Sequence, residues 1–247
     1  MDLGLRGRTA IVCGASSGLG LASAEALAAE GANVAMLARR REHLERDADR
    51  IGALAVRGDV TNAADLERLV ARTLEAFGGI DIVVWNSGGP PPGRAVDITD
   101  EKLEAAFELL LLPAARLVRL ALPHLERSDA GRIVCITSAA VKEPTAHLAL
   151  SNTIRPGVTG YAMSLARELG PQGVTVNCIA PGRVDTARLA QLYPDGPGEE
   201  DLKAIPLGRW GTPQEFGDVA CFLASDRARY VTGTTVVVDG GLTRGLL

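Results

Sequence analysis

Along the chain, short apolar runs rich in β-branched residues alternate with longer stretches whose apolar positions recur every three or four residues. The short runs are TAIVC at 9–13, NVAML at 33–37, LAVR at 54–57, IDIVVW at 80–85, RIVCIT at 132–137, VTVNCI at 174–179 and TTVVVD at 234–239. They are continuous, as expected of strands buried on both faces of a parallel sheet. Helical patterns cover 21–30, 41–50 and 63–77, each closed by a glycine: Gly31, Gly52 and Gly78. Glycine just past the last turn takes the left-handed conformation that ends many helices. A further helix is expected over 100–127, with Thr99 as N-cap and Asp100 and Glu101 in its first turn. Pro113 has no N–H to give and should kink or interrupt it. Strand–helix alternation with about seven strands predicts an α/β fold, a doubly wound, Rossmann-like parallel sheet covered by helices. No linker or repeat divides the chain, so one domain is expected over 1–247.

One stretch breaks the pattern. At 183–210, Pro194, Gly196, Pro197 and Gly198 interrupt any periodicity, and a mobile substrate loop is expected there. Leu189, Leu192, Tyr193 and Ile205 would offer it apolar contacts.

Composition narrows the class. A chain of 247 residues can bury a sizeable core. A formal charge of -4 gives no basic surface for nucleic acid or anionic lipid. No run approaches the ~20 apolar residues of a membrane span. The N-terminus lacks a basic segment leading into a long apolar one, so a cytoplasmic protein is expected. Cys13, Cys135, Cys178 and Cys221 are scattered without a C-x-x-C pair. They suggest neither a metal site nor a disulfide framework, and the first three read as small core residues.

Directly after the first strand comes Cys13-Gly14-Ala15-Ser16-Ser17-Gly18-Leu19-Gly20, running into a helix. Glycines there let the backbone turn tightly and approach a pyrophosphate, whose charge meets free N–H groups at the helix start. The spacing is G-x-x-x-G-x-G, a departure from the G-x-G-x-x-G of other dinucleotide folds.

This loop resembles the T-G-x-x-x-G-x-G signature of the short-chain dehydrogenases/reductases, with Cys13 in place of the threonine. Trp85-Asn86-Ser87-Gly88 resembles the family's N-N-A-G segment, and Gly58-Asp59-Val60 its adenine-contacting element. The run from Ile179 to Thr186 resembles its P-G-x-x-x-T segment, and Val231-Thr232-Gly233 through Asp239-Gly240-Gly241 its C-terminal end. The likeness covers nearly the whole chain and is nearest to bacterial β-ketoacyl-carrier-protein reductases. It implies a nicotinamide dinucleotide held by Gly14, Ser16, Ser17, Gly18, Leu19, Gly20, Asp59, Val60, Asn86, Ser87, Gly88, Arg155, Pro181, Gly182, Val184 and Thr186. It also implies self-association, as a homotetramer or a dimer, through helices including 100–127 and 161–169, and the apolar density of 109–122 points the same way.

Charge bears on the choice of cofactor. NAD enzymes place an acid at the end of the second strand to bind both ribose hydroxyls, whereas arginine suits a 2′-phosphate. Ala38 stands at the acid's place and Arg39 follows, so NADP(H) is expected over NAD(H). Arg40 and Arg41 read as the solvated start of the next helix.

The resemblance further implies a catalytic serine, a Tyr-x-x-x-Lys pair and an asparagine. The serine orients a carbonyl, the tyrosine transfers the proton, the lysine holds ribose and lowers the tyrosine's pKa, and the asparagine anchors a water. Ser138 matches the serine. Counting on places Ser151 at the tyrosine, Arg155 at the lysine and Leu110 at the asparagine. Serine is a far weaker acid than a phenol, and arginine stays protonated and relays nothing. Pro156 adds a distortion, unless the helix begins near Thr153 and carries it in the first turn.

Among other candidates, His147 lies between Ser138 and Ser151 and could exchange protons, although a solvated loop histidine is the default. Tyr161 has no lysine four residues on and reads as packing, Lys142 and Glu143 read as surface charge, and Pro90-Pro91-Pro92 as a stiff rim. Three readings remain open: an NADP(H)-dependent oxidoreductase on a small-molecule carbonyl or hydroxyl, with altered proton delivery; a dinucleotide-binding sensor or partner subunit without turnover; and a lyase or epimerase using the cofactor structurally. Fold alone does not choose among them.

Overall fold

The computed structural model describes residues 1–245. Seven strands form one sheet: β1 (Thr9–Cys13), β2 (Asn33–Ala38), β3 (Leu54–Arg57), β4 (Ile82–Trp85), β5 (Arg132–Ile136), β6 (Thr175–Pro181) and β7 (Thr235–Val238). Their order is β3-β2-β1-β4-β5-β6-β7 and every pairing is parallel. The chain winds outward in one direction from β1 and in the other from β4. The crevice beyond the C-terminal ends of those two strands is where such sheets bind ligands.

Successive strand residues serve two cores. Ile11 and Cys13 face one side, with α3 (Ala63–Phe77), α5 (Leu112–Leu125) and α6 (Ala149–Leu169) packed on it. Ala10 and Val12 face the other, covered by α1 (Gly18–Ala29), α2 (Arg41–Ile51) and α9 (Pro213–Ala224). Burial on both faces explains why the strands read as continuous apolar runs. Gly52 and Gly78 end α2 and α3 at φ 69° and 80°, the left-handed caps the sequence suggests.

The helical stretch 100–127 is interrupted, as Pro113 leads one to expect, into α4 (Asp100–Leu110) and α5, with the break at Leu111. Pro113 falls in the first turn of α5, where its missing N–H costs nothing. Helix α6 begins at Ala149, before Thr153, and continues through Pro156. It survives because Leu150, Ser151, Val158 and Ala162 on its inner face are buried, and the Asn152 side chain brackets both backbone groups of Thr145 just before it. The 183–210 stretch contains two short helices, α7 (Ala187–Leu192) and α8 (Glu199–Lys203).

Candidate cofactor and substrate site

Where β1 ends, Gly14 and Gly18 adopt φ 60° and 56° and turn the chain into α1. The N-cap, Ser17, makes no side-chain cap bond, and no acid occupies the first turn of α1. The free N–H groups and the positive end of the helix dipole are therefore left for an anion. Gly20 sits where a Cβ would lie 2.4 Å from the Gly14 carbonyl oxygen and 2.8 Å from Asn86 Nδ2. Asn86, just past β4, donates from Nδ2 to that same carbonyl at 3.4 Å, tying the two strand ends together.

Arg40 is exposed at the N-cap of α2, as the sequence suggests, and makes a contact the sequence does not show. Its guanidinium folds back across the glycine loop, Nη2 donating to Ser17 Oγ at 2.8 Å and to the Ser16 carbonyl at 3.2 Å. β2 lies parallel beside β1, so the residue after β2 stands next to the loop after β1. Arg39 projects outward, its side chain 77% exposed and 3.6 Å from Asp59. Such a solvated pair contributes little to stability and leaves the guanidinium open to another anion. The Asp59 N–H donates to Asp65 at 2.7 Å, and that bond holds the Asp65 carboxyl below its ordinary range. Val60, half-buried, packs on the core.

Beyond β5, Ser138 Oγ accepts from the Ala140 N–H at 3.1 Å, which leaves the hydroxyl proton free to be donated. Ser151 and Arg155 follow one turn apart on α6 and share a face. Ser151 is buried. Arg155 reaches back to the C-terminal end of β5, Nη1 donating to the Thr137 carbonyl at 2.9 Å and to that of Ile136 at 3.2 Å. Burial pushes its guanidinium down to about 10, and the charge of Arg188 acts in the same direction. At neutral pH it remains a cation. Leu110, the last residue of α4, is buried and apolar.

His147 is exposed and adopts φ 59°, with its carbonyl accepting from Gly93 N at 2.7 Å. No hydrogen bond joins it to Ser138, Ser151 or Arg155. Tyr161 packs partly buried against the core, and burial raises its phenol.

The far wall is β6 and the loop after it. A Cβ on Gly182 would lie 2.4 Å from Asp239 Cβ, so only glycine lets these two segments touch. Val184 bridges to Gly211, closing the base of the 183–210 loop. Arg183 pairs with Asp201 at 2.9 Å and lies over the Tyr193 ring, which meets Trp210 edge-on. Thr186 caps α7, and its methyl lies 3.3 Å from where a Gly18 Cβ would be, so the loop starts against the phosphate turn. Two residues on, Arg188 Nη2 donates to the Pro90 carbonyl at 2.7 Å. Sequence reasoning missed Arg188 and the contact of Arg40 with the glycine loop. The available signal was an arginine two residues past a strand and another two residues past Thr186.

Among the described residues, no group of three His, Cys, Asp or Glu is placed to hold a metal, and no helix is long and apolar enough to cross a membrane. A family model described as Enoyl-(Acyl carrier protein) reductase matches residues 14–243. The chain is 35% identical to dehydrogenase/reductase SDR family member 4 of Oryctolagus cuniculus, over 96% of this chain and 94% of that protein. It is 34% identical to cyclohexanol dehydrogenase of Rhodococcus sp. (strain TK6), over 98% of each. Among solved structures, L-sorbose reductase of Gluconobacter frateurii, complexed with NADPH and L-sorbose, superposes with a TM-score of 0.93 at 30% identity, covering 100% of both chains.

Proposed function

This chain belongs to the short-chain dehydrogenase/reductase family, and on that premise we propose an NADP(H)-dependent oxidoreductase acting on a carbonyl or hydroxyl of a small molecule. The observation that carries the reading is Arg40 laid across Ser16 and Ser17 at the uncapped start of α1, above the space Gly20 keeps open. The α1 N–H groups would take the pyrophosphate, and Arg39 and Arg40 a 2′-phosphate. The NADPH bound by the similar L-sorbose reductase supports the same cofactor. Asp59 and Val60 would border the adenine, and Asn86 to Gly88, Pro181, Gly182, Val184 and Thr186 the nicotinamide half. Bound there, a nicotinamide dinucleotide supplies or accepts the hydride.

The chain's own residues orient the substrate and manage the proton. Ser138 has its acceptor engaged and its O–H free, so it donates to the substrate oxygen. Ser151 stands where the family's phenol would be and is a weak acid, and Arg155 holds its protons. Proton delivery then falls to Ser151, His147 or solvent, and loss of a positioned acid costs about 10²–10⁴-fold in rate. One observation favours a second reading, a dinucleotide-binding sensor or partner subunit without turnover: the Arg155 guanidinium is turned onto the β5 carbonyls.

NADPH and NADH titrations, paired with NADPH oxidation over a carbonyl panel that includes a β-ketoacyl thioester, test both. Tighter NADPH binding with turnover supports the oxidoreductase, binding without turnover the second reading, and no binding of either cofactor refutes both. Self-association as a dimer or tetramer is part of the proposal. Leu103 and Phe107 leave α4 with 38% and 41% of their surface exposed, apolar area that a second copy would cover. A monomer by light scattering at micromolar concentration counts against it.

A further inference from the structure

We propose that Arg188 and Arg155 form a receptor for an anionic group of the substrate, a carboxylate or phosphate carried close to the reacting carbon. The inference rests on the oxidoreductase reading and deepens it, because it assigns the substrate class of the same site.

The two guanidiniums come from different elements and approach one crevice. Arg155 reaches from α6 to the carbonyls of Ile136 and Thr137 at the end of β5. Arg188 reaches from α7 to the Pro90 carbonyl, in the segment that follows β4. β4 and β5 are neighbours in the sheet, so the segments that carry the two contacts leave it from adjacent strands. Arg188 also lies against Gly89, where a Cβ would come within 3.0 Å of its Nε. Both side chains are half-buried.

Neither cation has an acidic partner among the described residues. The nearby Arg183 pairs with Asp201, and Arg209 with Glu215. Arg155 and Arg188 meet only main-chain carbonyls, each through a single nitrogen. A guanidinium carries five N–H donors, so most of their capacity remains free. The acids nearest in sequence are committed or face solvent: Glu143 accepts from the Arg244 N–H, and Asp185 and Asp195 are exposed.

Like charges held together out of bulk water oppose each other, and here the charge of Arg188 adds to the larger effect of burial in holding Arg155 below its ordinary value. An anion between them removes the repulsion and uses the free donors. A planar carboxylate or a phosphate suits the guanidinium fork, which binds two oxygens at once. A neutral ketone or sugar would leave both charges uncompensated.

The same chemistry could be met by the cofactor's own phosphates, and the experiment separates the two sources. Oxalate and inorganic phosphate are titrated calorimetrically into the full-length protein, first alone and then saturated with NADPH. The series is repeated on Arg188→Gln and Arg188→Lys. Rates with an α-keto acid and with its methyl ester are compared in parallel. We expect oxalate to bind the NADPH-loaded protein, to weaken about tenfold or more in Arg188→Gln, and to be partly rescued in Arg188→Lys. The acid-over-ester preference in kcat/KM should collapse in Arg188→Gln.

The inference fails if neither anion binds the NADPH-loaded protein, if Arg188→Gln binds as wild type does, or if NADPH displaces the anion. The last outcome assigns the pair to the cofactor's phosphates. NADPH binding that persists while anions fail to bind leaves the oxidoreductase reading intact. Anion binding by a protein that takes no NADPH removes that reading and with it the substrate assignment.

Discussion

Arg40 donates to the Oγ of Ser17 at 2.8 Å, carrying a positive charge onto the open N-terminal end of α1. Its neighbour Arg39 faces solvent beside Asp59. Arg40→Ala should therefore weaken NADPH binding by about tenfold, or ~1.4 kcal/mol, and at least as much as Arg39→Ala. Both effects should shrink as salt is raised, because exposed charges are screened. Fluorescence titration at two ionic strengths checks this. An Arg40→Ala protein with wild-type affinity would show that the guanidinium belongs only to the free loop.

Gly20 tests the cradle itself. A methyl there would press on the Gly14 carbonyl, a backbone atom with no freedom to swing aside. Gly20→Ala should lose at least about a hundredfold in NADPH affinity and melt at lower temperature than wild type. Unchanged cofactor binding would place the phosphates elsewhere.

The parts legible in the sequence were those encoded locally. Continuous runs such as RIVCIT marked strands buried on both faces, and Gly52 and Gly78 marked helix ends. The positions matched to the family's tyrosine and lysine came from counting on from Ser138, and Ser151 and Arg155 lie one turn apart on α6. What stayed hidden was made by the sheet. Arg40 meets Ser17 across 23 residues of sequence, and Arg188 meets Pro90 across 98. Both contacts follow from strand order, which the local pattern does not carry. Of the two options the sequence leaves open for α6, a start near Thr153 is excluded, for a related reason. A local rule about Pro156 was outweighed by burial of the helix's inner face, seen only in the packed structure.

The four thiols give a test of the core. All are buried, and burial pushes Cys13 and Cys221 up to about 12. Cys135 and Cys178 face one another as register partners on β5 and β6. Thiolate is the reactive form, so the native protein at pH 8 should resist a chromogenic disulfide reagent, and all four should react after denaturation. Prompt modification of Cys13 in the native state would contradict the described packing of β1.

The decisive chemical test restores what α6 lacks. Ser151→Tyr with Arg155→Lys would place a phenol and an ammonium one turn apart on the face that now carries both residues. The lysine gives up the hold of Arg155 on the Ile136 and Thr137 carbonyls but keeps a charge beside the phenol. Leu110→Asn would add the family's water anchor. Leu110 is only 1% exposed, so this step should cost about 1–3 kcal/mol unless the amide finds partners. Pro156→Ala offsets part of that, since it returns the N–H that the helix is missing, a gain of up to ~3 kcal/mol. The series is assayed for NADPH oxidation with a β-ketoacyl thioester, each member beside a copy carrying Ser138→Ala. A positioned acid is worth about 10²–10⁴-fold, so a rise of at least tenfold is expected, and it should vanish when Ser138 is removed. If wild type already turns over quickly and Ser151→Ala leaves that rate untouched, Ser151 carries no proton. His147→Ala then distinguishes the imidazole from solvent as donor, because only the imidazole is removed by that change.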